Sequence, residues 1–239
     1  MQTNNLYENF NKLMQRIRLS CERSGRLPGQ VKLLAVSKSR LPEEVEELRR
    51  LGQRLFGENR VQEARAKIPL CSSDLEWHMI GHLQKNKVRV AVQIFDMIHS
   101  VDSLELASEL NREAEKQGRN LRVLVQVNVS GESTKHGLDD EAARTLLKQS
   151  ADFHHLEFCG LMTMAPYSED PERARPWFRK LRLLRDHWQD ELALALPELS
   201  MGMSGDLEPA VEEGATIVRV GTALFGPRKR PEPEEQIFD

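Results

Sequence analysis

A lysine directly after the first predicted strand is the residue best placed for covalent chemistry. Lys38 follows Leu34 and Val36 at intervals of two, so the three side chains would share one face of an extended segment. A lysine amine in a poorly hydrated site has a lowered pKa and attacks carbonyl groups, forming a Schiff base. A lysine that extends its ammonium group into solvent at the rim of a sheet would show the same spacing. Both interpretations of Lys38 stay open at this point.

A second group of residues, near the ends of the last two predicted strands, could bind an anion. Ser204 follows one of these strands, and Gly221 and Thr222 lie in the other. Glycine lets a ligand approach the main chain, whose N–H groups and neighbouring hydroxyls can donate hydrogen bonds. A helix that begins near Leu207 would direct its positive end to the same place. Ordinary tight turns would also account for each of these residues taken alone.

A third candidate is Arg219, which shares the face of Ile217 and Gly221 and would point into the protein. Its guanidinium is permanently charged and needs a partner when buried. Position favours an internal carboxylate such as Glu58 or Asp102, whereas a ligand atom such as a ring nitrogen would give the arginine a functional role. An amine for an aldehyde, donors for a phosphate and an arginine for a ring nitrogen are together what pyridoxal 5′-phosphate requires.

The hydrophobic pattern alternates along the chain between extended apolar runs and helical spacing. The predicted strands span residues 31–37, 54–58, 76–81, 97–101, 121–129, 157–164, 199–203 and 216–225. The predicted helices span residues 6–22, 42–51, 60–68, 84–92, 104–117, 140–151, 171–194 and 207–213. Every predicted strand except the last is therefore followed by a helix.

Strands separated by helices favour parallel pairing with right-handed crossovers. Eight such units within 239 residues predict an α/β fold, a single (β/α)₈ TIM barrel over residues 1–239, with an extra N-terminal helix in 1–24 and a flexible tail in 227–239. An open doubly wound sheet is the alternative, but no Gly-x-Gly-x-x-Gly segment follows the first strand. Barrel active sites lie at the carboxyl ends of the strands, and phosphate sites recur after strands seven and eight.

Charge and composition exclude several classes of protein. Lys and Arg number 34 against 37 Asp and Glu, a net charge of −3, so no basic field would attract nucleic acid. No apolar run is long enough to cross a membrane, and no signal peptide is recognisable, so we expect a cytoplasmic protein. The aromatic and basic stretch 177–188 is typical of an outer barrel helix.

Cys21, Cys71 and Cys159 are widely spaced, which favours three inert thiols over disulfides or zinc. His78 and His82 have no evident third ligand, so we expect no metal site.

Short ordered segments throughout the barrel region carry a resemblance to a known family. They are LAVSK at 34–38, FGEN at 56–59, VQE at 61–63, WHMIGHLQ at 77–84, NK at 86–87, HSVD at 99–102, QVN at 126–128, GLMT at 160–163, MGMS at 201–204 and VRVGTALFG at 218–226. In these segments the chain resembles the pyridoxal phosphate homeostasis proteins. Those proteins are similar to the isolated barrel domain of fold-type III alanine racemases.

The resemblance implies a protein that holds pyridoxal 5′-phosphate as a Schiff base on Lys38, with the phosphate at Ser204 and the ring nitrogen facing Arg219. The cofactor contacts it implies are Lys38, Asn59, His82, Met203, Ser204, Arg219, Gly221 and Thr222. The implied role is to buffer the cofactor or deliver it to apo-enzymes, with no catalytic residues. We expect a monomer or a weakly associated dimer.

An arginine opposite the ring nitrogen keeps that nitrogen unprotonated, which suits mild chemistry. The resemblance also implies that racemases use a tyrosine from a second domain. We expect no such domain here, and neither Tyr7 nor Tyr167 is placed like that base, so we predict no substantial racemase activity. The alternatives are a weak racemase, a cofactor-free aldolase in which Lys38 attacks a sugar carbonyl, and an interaction module that has lost the cofactor.

Overall fold

Eight parallel strands close into a barrel in the order in which they occur along the chain. The computed structural model describes residues 5–132 and 134–227. The strands are β1 Lys32–Val36, β2 Leu55–Glu58, β3 Glu76–Met79, β4 Met97–Val101, β5 Leu121–Gln126, β6 Leu156–Met162, β7 Glu198–Ser200 and β8 Ile217–Val220. Pairing of β1 with β8 closes the sheet, which confirms the barrel and excludes the open doubly wound sheet.

Helices connect the strands and cover the outside of the barrel. They are α1 Leu6–Arg23, α2 Pro42–Arg50, α3 Val61–Lys67, α4 Val88–Ile94, α5 Leu104–Lys116, α6 Asp140–Lys148, α7 Arg175–Leu192, α8 Leu207–Glu212 and α9 Thr222–Phe225. Helix α1 confirms the N-terminal helix, and α7 confirms that the stretch 177–188 belongs to an outer helix. The predicted tail lies outside the described residues from position 228 onward. None of the described helices has the length and hydropathy of a membrane span.

The end of the chain's last strand differs from the prediction. We expected an extended run over residues 216–225, but β8 stops at Val220 and α9 begins at Thr222. A short apolar run such as 223–225 fits either structure, because periodicity alone cannot separate a buried strand from a buried helical turn. The consequence for the site is that Gly221 and Thr222 lie in a strand-to-helix turn, with their backbone turned out of the sheet.

Helix α1 packs across α8 and α9, the two elements that follow the last strands. Its apolar stripe includes Leu13 and Ile17, both buried, as expected for an amphipathic helix on a protein surface. The amide of Asn9 donates to the carbonyl of Leu224 at 3.0 Å. Helix α1 therefore packs on the outer side of α8 and α9, close to the predicted anion site.

Side chains fill the barrel interior. One apolar cluster, which includes Leu34, Met97 and Ile217, lies inside the ring of strands, separate from the larger core between strands and helices. Gly57 faces this interior, and a Cβ there would lie 2.2 Å from Cδ2 of Leu34. Such packing is typical of this fold, in which the barrel is a core rather than a pore.

The three cysteines are free thiols. Burial raises the pKa of the Cys159 thiol to about 12 and that of Cys71 to about 11. A thiol is reactive as its thiolate, so the raised pKa favours the unreactive thiol form of both side chains, and their inertness stays a prediction.

Candidate functional site

A cavity of about 350 Å³ opens at the carboxyl ends of the strands, where the barrel fold places active sites. Its lining includes Val36, Ile80, Met164 and Ala165 on the apolar side. Its polar and loop residues are Lys38, Asn59, Tyr167, Ser168, Met203, Ser204, Gly205, Asp206, Arg219, Gly221 and Thr222. All the predicted cofactor contacts except His82 therefore meet in one cavity.

Lys38 lies half-buried in the turn that follows β1, and its neighbours on both sides are anchored. The hydroxyl of Ser37 donates to Oε1 of Glu58 at 2.7 Å, and Nζ of Lys67 donates to the carbonyl of Ser37 at 2.7 Å. The N–H of Ser39 donates to the carboxylate of Glu63. These contacts fix the main chain around Lys38 and so determine where its amine enters the cavity.

The anchor beneath this turn is a buried ion pair between α3 and β2. Nζ of Lys67 lies 2.7 Å from Oε1 of Glu58 and 3.0 Å from Oε1 of Glu63. The side chain of Glu58 has no exposure and that of Lys67 has 6%. Burial raises the pKa of Glu58, although Lys67 and Ser37 act in the opposite direction. The pair is therefore a structural support for the turn, and its cost of desolvation makes each partner depend on the other.

Arg219 points into the barrel, as predicted, but its predicted carboxylate partner is wrong. Glu58 pairs with Lys67, and Asp102 contacts His82. The guanidinium donates from Nη1 to Oγ of Ser200 at 2.6 Å and from Nη2 to the carbonyl of Thr163 at 2.8 Å. Both partners are neutral, and within residues 5–132 and 134–227 no carboxylate forms an ion pair with Arg219.

Burial lowers the pKa of Arg219 to about 10, so the side chain remains a cation at neutral pH. A guanidinium has five N–H donors, and two hydrogen bonds leave others available. Because Arg219 also lines the cavity, it can donate to a ligand acceptor there.

The loops after β7 and β8 supply hydrogen-bond donors to the same cavity. Over the described part of the chain, the backbone N–H groups of Ser204, Gly205 and Thr222 donate to no protein acceptor. The hydroxyl of Ser204 accepts from the N–H of Ala223 at 3.2 Å, which ties the two loops together. Helix α8 begins at Leu207 as predicted, but with six residues it adds little dipole. The donor set that remains, N–H groups with hydroxyls, fits a phosphate.

Arg16 of α1 supports the Ser204 loop from outside the barrel. Its guanidinium donates to both carboxylate oxygens of Glu208, at 2.7 and 3.0 Å, and to the carbonyl of Ser204 at 3.2 Å. Sequence analysis did not identify this residue, because the contact spans 188 positions and no local pattern reveals it. A lone arginine on the polar face of an amphipathic helix carries no signal of its partner.

His82 lies beside the cavity and not in its lining. It lines a neighbouring pocket of about 570 Å³, which shares Asn59 with the cavity. Its Nδ1 lies 3.2 Å from Oδ2 of Asp102, and its ring stacks on that of His136 at 4.2 Å between centroids. His82 therefore lies next to the cavity, and its contact with the cofactor stays a prediction.

His82, Asp102 and His136 bring three possible metal-ligand atoms within 4.8 Å of one another. The two imidazole planes are nearly parallel, at 11°. Ring nitrogens bind metals along lone pairs that lie in the ring plane, so these lone pairs do not converge on one ion. The absence of a metal stays a prediction. His78, considered earlier as a partner of His82, bonds instead to Glu76 and His99.

Comparison with known proteins identifies the family to which this chain belongs. A family model described as the N-terminal domain of alanine racemase matches residues 3–229. The pyridoxal phosphate homeostasis protein of Aquifex aeolicus is 48% identical over 226 residues, covering 94% of this chain and 99% of that relative. The human protein of the same name is 40% identical over 227 residues, covering 88% and 82% respectively.

Solved structures of other proteins show the same barrel fold. PipY of Synechococcus elongatus, determined with pyridoxal phosphate bound, superimposes with a TM-score of 0.79 at 42% identity, covering 88% of this chain and 99% of PipY. An alanine racemase of Clostridium difficile is 16% identical with a TM-score of 0.76, covering 98% of this chain and 58% of that one; it shares the fold. The chain therefore belongs to the pyridoxal phosphate homeostasis proteins, within the alanine racemase N-terminal domain family.

Proposed function

We propose that this protein binds pyridoxal 5′-phosphate in the cavity at the carboxyl end of the barrel and buffers or delivers it inside the cell. The observation that carries the proposal is the meeting of three groups in one cavity: an amine on Lys38, a buried Arg219, and the N–H donors around Ser204. Among the described residues, Arg219 forms no ion pair with a carboxylate and these N–H groups have no protein acceptor. The structure of the relative PipY with pyridoxal phosphate bound supports the same assignment. We place this role in the cytoplasm.

Each residue has a defined part in holding the cofactor. Lys38 would hold the cofactor through its amine, which would condense with the aldehyde and release the aldehyde oxygen as water. The hydroxyls of Ser204 and Thr222, with the N–H groups of their loops, donate to the phosphate. An N–H of Arg219 donates to the ring nitrogen. Asn59 and Met203 form cavity walls.

Arg219 is also the reason to favour a carrier over an enzyme. A guanidinium with a pKa of about 10 keeps its protons at neutral pH, so it leaves the ring nitrogen unprotonated. When bound, the cofactor supplies an aldehyde and a ring that withdraws electrons only weakly in this state. A reversible covalent bond with little activation of substrate bonds suits storage and transfer, with apo-enzymes that use the cofactor as receiving partners.

One observation favours a second function, weak amino-acid racemisation. Tyr167 lines the cavity and is 93% exposed, although sequence analysis did not place it there. Tyr7, on α1, is not in the lining. Racemisation needs one group to remove a proton and another to return one on the opposite face. If this activity exists, Tyr167→Phe should abolish the turnover of alanine enantiomers while leaving cofactor binding intact.

Titration with pyridoxal 5′-phosphate, followed by visible absorbance, tests the proposal. We expect Ser204→Ala and Thr222→Ala each to weaken binding about tenfold, because each removes a hydrogen bond to a charged group. Ser108→Ala, which removes an exposed hydroxyl on α5, is the matched control and should bind like the wild type. The loaded protein should then restore activity to an apo-enzyme that requires the cofactor. A wild-type protein that takes up no cofactor would overturn the proposal.

A further inference from the structure

A continuous chain of hydrogen bonds crosses the barrel interior and ends at Arg219. Nη1 of Arg219 lies 2.6 Å from Oγ of Ser200, and that oxygen lies 2.9 Å from Nδ1 of His99. Nε2 of His99 lies 2.9 Å from Nδ1 of His78, and Nε2 of His78 lies 2.9 Å from Oε1 of Glu76. We call these five side chains the interior relay.

The relay connects the two ends of the barrel through its buried interior. Its middle members are buried: His99 and Ser200 have no exposure and His78 has 2%. Glu76 begins β3, at the end of the barrel opposite the cavity, and its side chain is 41% exposed. Arg122 donates to the same carboxylate at 2.6 Å. A buried polar network with every member paired is rigid, and its parts polarise one another.

The two ends of the relay fix the direction of every hydrogen bond in it. A guanidinium can only donate, and an ionised carboxylate can only accept. Burial lowers the pKa of both His78 and His99, so both rings are neutral, and the hydrogen bond from His78 is the largest cause that lowers the pKa of Glu76 to about 2. A neutral imidazole donates once and accepts once.

The order that follows is the same at each step. His78 donates from Nε2 to Glu76, so its Nδ1 accepts from Nε2–H of His99. Nδ1 of His99 then accepts from the hydroxyl of Ser200, which accepts from Arg219. Both histidines are therefore in the Nε2–H tautomer.

We propose that Glu76, His78, His99 and Ser200 are positioning residues that orient Arg219 toward the ring nitrogen of the bound cofactor and balance part of its charge from the far end of the barrel. This inference rests on the proposed function, because it names the ligand atom that Arg219 meets. Among the described residues, Asp206 is the carboxylate in the cavity lining, and it accepts from the N–H of Met203 and forms no ion pair with Arg219. The relay therefore lets the protein hold a buried cation beside a ligand without a carboxylate bonded to it. An acid placed next to Arg219 would compete for the N–H groups that the ring nitrogen needs.

Nuclear magnetic resonance of the cofactor-free protein tests the relay itself. In protein labelled with ¹⁵N-histidine, two-bond proton–nitrogen couplings identify the tautomer of each of the seven rings. We expect His78 and His99, assigned from His78→Asn and His99→Asn, to be neutral Nε2–H tautomers at pH 7 and to stay neutral as the pH is lowered below 6.5. An Nδ1–H tautomer at either ring would overturn the relay, whether or not the cofactor binds.

A double-mutant cycle tests the effect on the ligand. Glu76→Gln should shift the pH midpoint of the bound cofactor's visible band downward by on the order of half a unit, because the charge of Arg219 is then less balanced. Glu198→Gln is the matched control: Glu198 begins β7 at the same end of the barrel but pairs with Lys32 at 2.6 Å and is outside the relay. Its shift should be clearly smaller.

Ser200→Ala breaks the relay at its smallest member and should weaken cofactor binding about tenfold, since it removes an acceptor from a charged donor. Ser100→Ala is its control, because Ser100 is equally buried and its hydroxyl has no partner among the described residues; its binding should be unchanged. In the Ser200→Ala background the shift caused by Glu76→Gln should fall by at least half.

Equal shifts from Glu76→Gln and Glu198→Gln, or a Glu76→Gln shift that Ser200→Ala leaves unaltered, would overturn the proposal. Failure of the wild-type protein to bind the cofactor would instead overturn the proposed function, and the tautomers would still decide whether the relay exists.

Discussion

Lys67 should be one of the residues on which folding depends most, because it neutralises a carboxylate that has no contact with water. Its amine donates to the carbonyl of Ser37 at 2.7 Å, to Glu58 at 2.7 Å and to Glu63 at 3.0 Å. Removing one partner of a buried ion pair costs about 3–5 kcal/mol, and the carbonyl of Ser37 also loses a donor. We expect Lys67→Met to lower the free energy of unfolding by about 4 kcal/mol.

Urea unfolding with linear extrapolation measures this loss, provided that the slope with denaturant stays unchanged. Lys12→Met is the control: its partner Glu8 lies 3.7 Å away on an exposed helix face, where such pairs contribute a few tenths of a kcal/mol. Combining Lys67→Met with Glu58→Gln should recover on the order of 2 kcal/mol, because a neutral amide needs no counter-ion.

The loss of stability in Lys67→Met should also depend on pH. Burial already raises the pKa of Glu58 in the folded protein, and the loss of Lys67 raises it further. A group with a raised pKa destabilises the fold when it is ionised and ceases to do so as it takes up a proton. The deficit of Lys67→Met should therefore shrink as the pH falls from 8 to 5. A deficit below about 1 kcal/mol, or one that does not vary with pH, would refute this account of the ion pair.

Three further predictions concern the fold and the site. Gly160→Ala should lower stability by more than about 3 kcal/mol in thermal unfolding, because φ is +153° and a Cβ would lie 1.9 Å from the carbonyl oxygen of Glu198. The control is Gly118→Ala, where φ is +62° and a Cβ would meet no neighbouring atom; it should cost about 1 kcal/mol. Equal losses of stability in the two variants would contradict this prediction. Burial keeps His99 neutral in the folded protein, whereas the ring takes up a proton in the unfolded chain below pH 6.5. The free energy of unfolding should therefore fall by up to about 1.4 kcal/mol per pH unit for this ring. His99→Gln should make the free energy of unfolding, measured with urea, less dependent on pH, and parallel pH profiles of the variant and the wild type would contradict this prediction. Arg16→Ala should weaken cofactor binding about fivefold by releasing the Ser204 loop. Arg18→Ala, on the same helix but paired with Glu22, should not weaken it, and equal affinities of the two variants in titration would exclude a role for Arg16.

Sequence periodicity predicted the barrel and the position of its site because both follow from local rules. A lysine two residues beyond Val36 had to share its face, and the carboxyl ends of parallel strands had to meet at one end of the barrel. Lys38, Ser204 and Thr222 therefore line one cavity, as expected. The same reasoning predicted that Arg219 points inward, because it is in phase with Ile217.

What could not be predicted depends on register between distant strands. The partners of Arg219 are a hydroxyl and a carbonyl brought in by β7 and by the end of β6, and no pattern within one strand indicates them. The interior relay has the same origin: His78 and His99 each lie in a buried strand among mostly apolar neighbours, so each alone resembles an ordinary buried histidine. Helix α9 was missed because its apolar residues continue the pattern of β8.

Borohydride reduction of the protein loaded with pyridoxal 5′-phosphate tests the central claim most directly. The account predicts a visible band that reduction abolishes, with the cofactor then attached to the peptide that contains Lys38 and no band or attachment in Lys38→Ala. Lys85→Ala, at a lysine outside the cavity lining, should label like the wild type. A label on another lysine, or a protein that neither shows the band nor takes up added cofactor, would contradict the account.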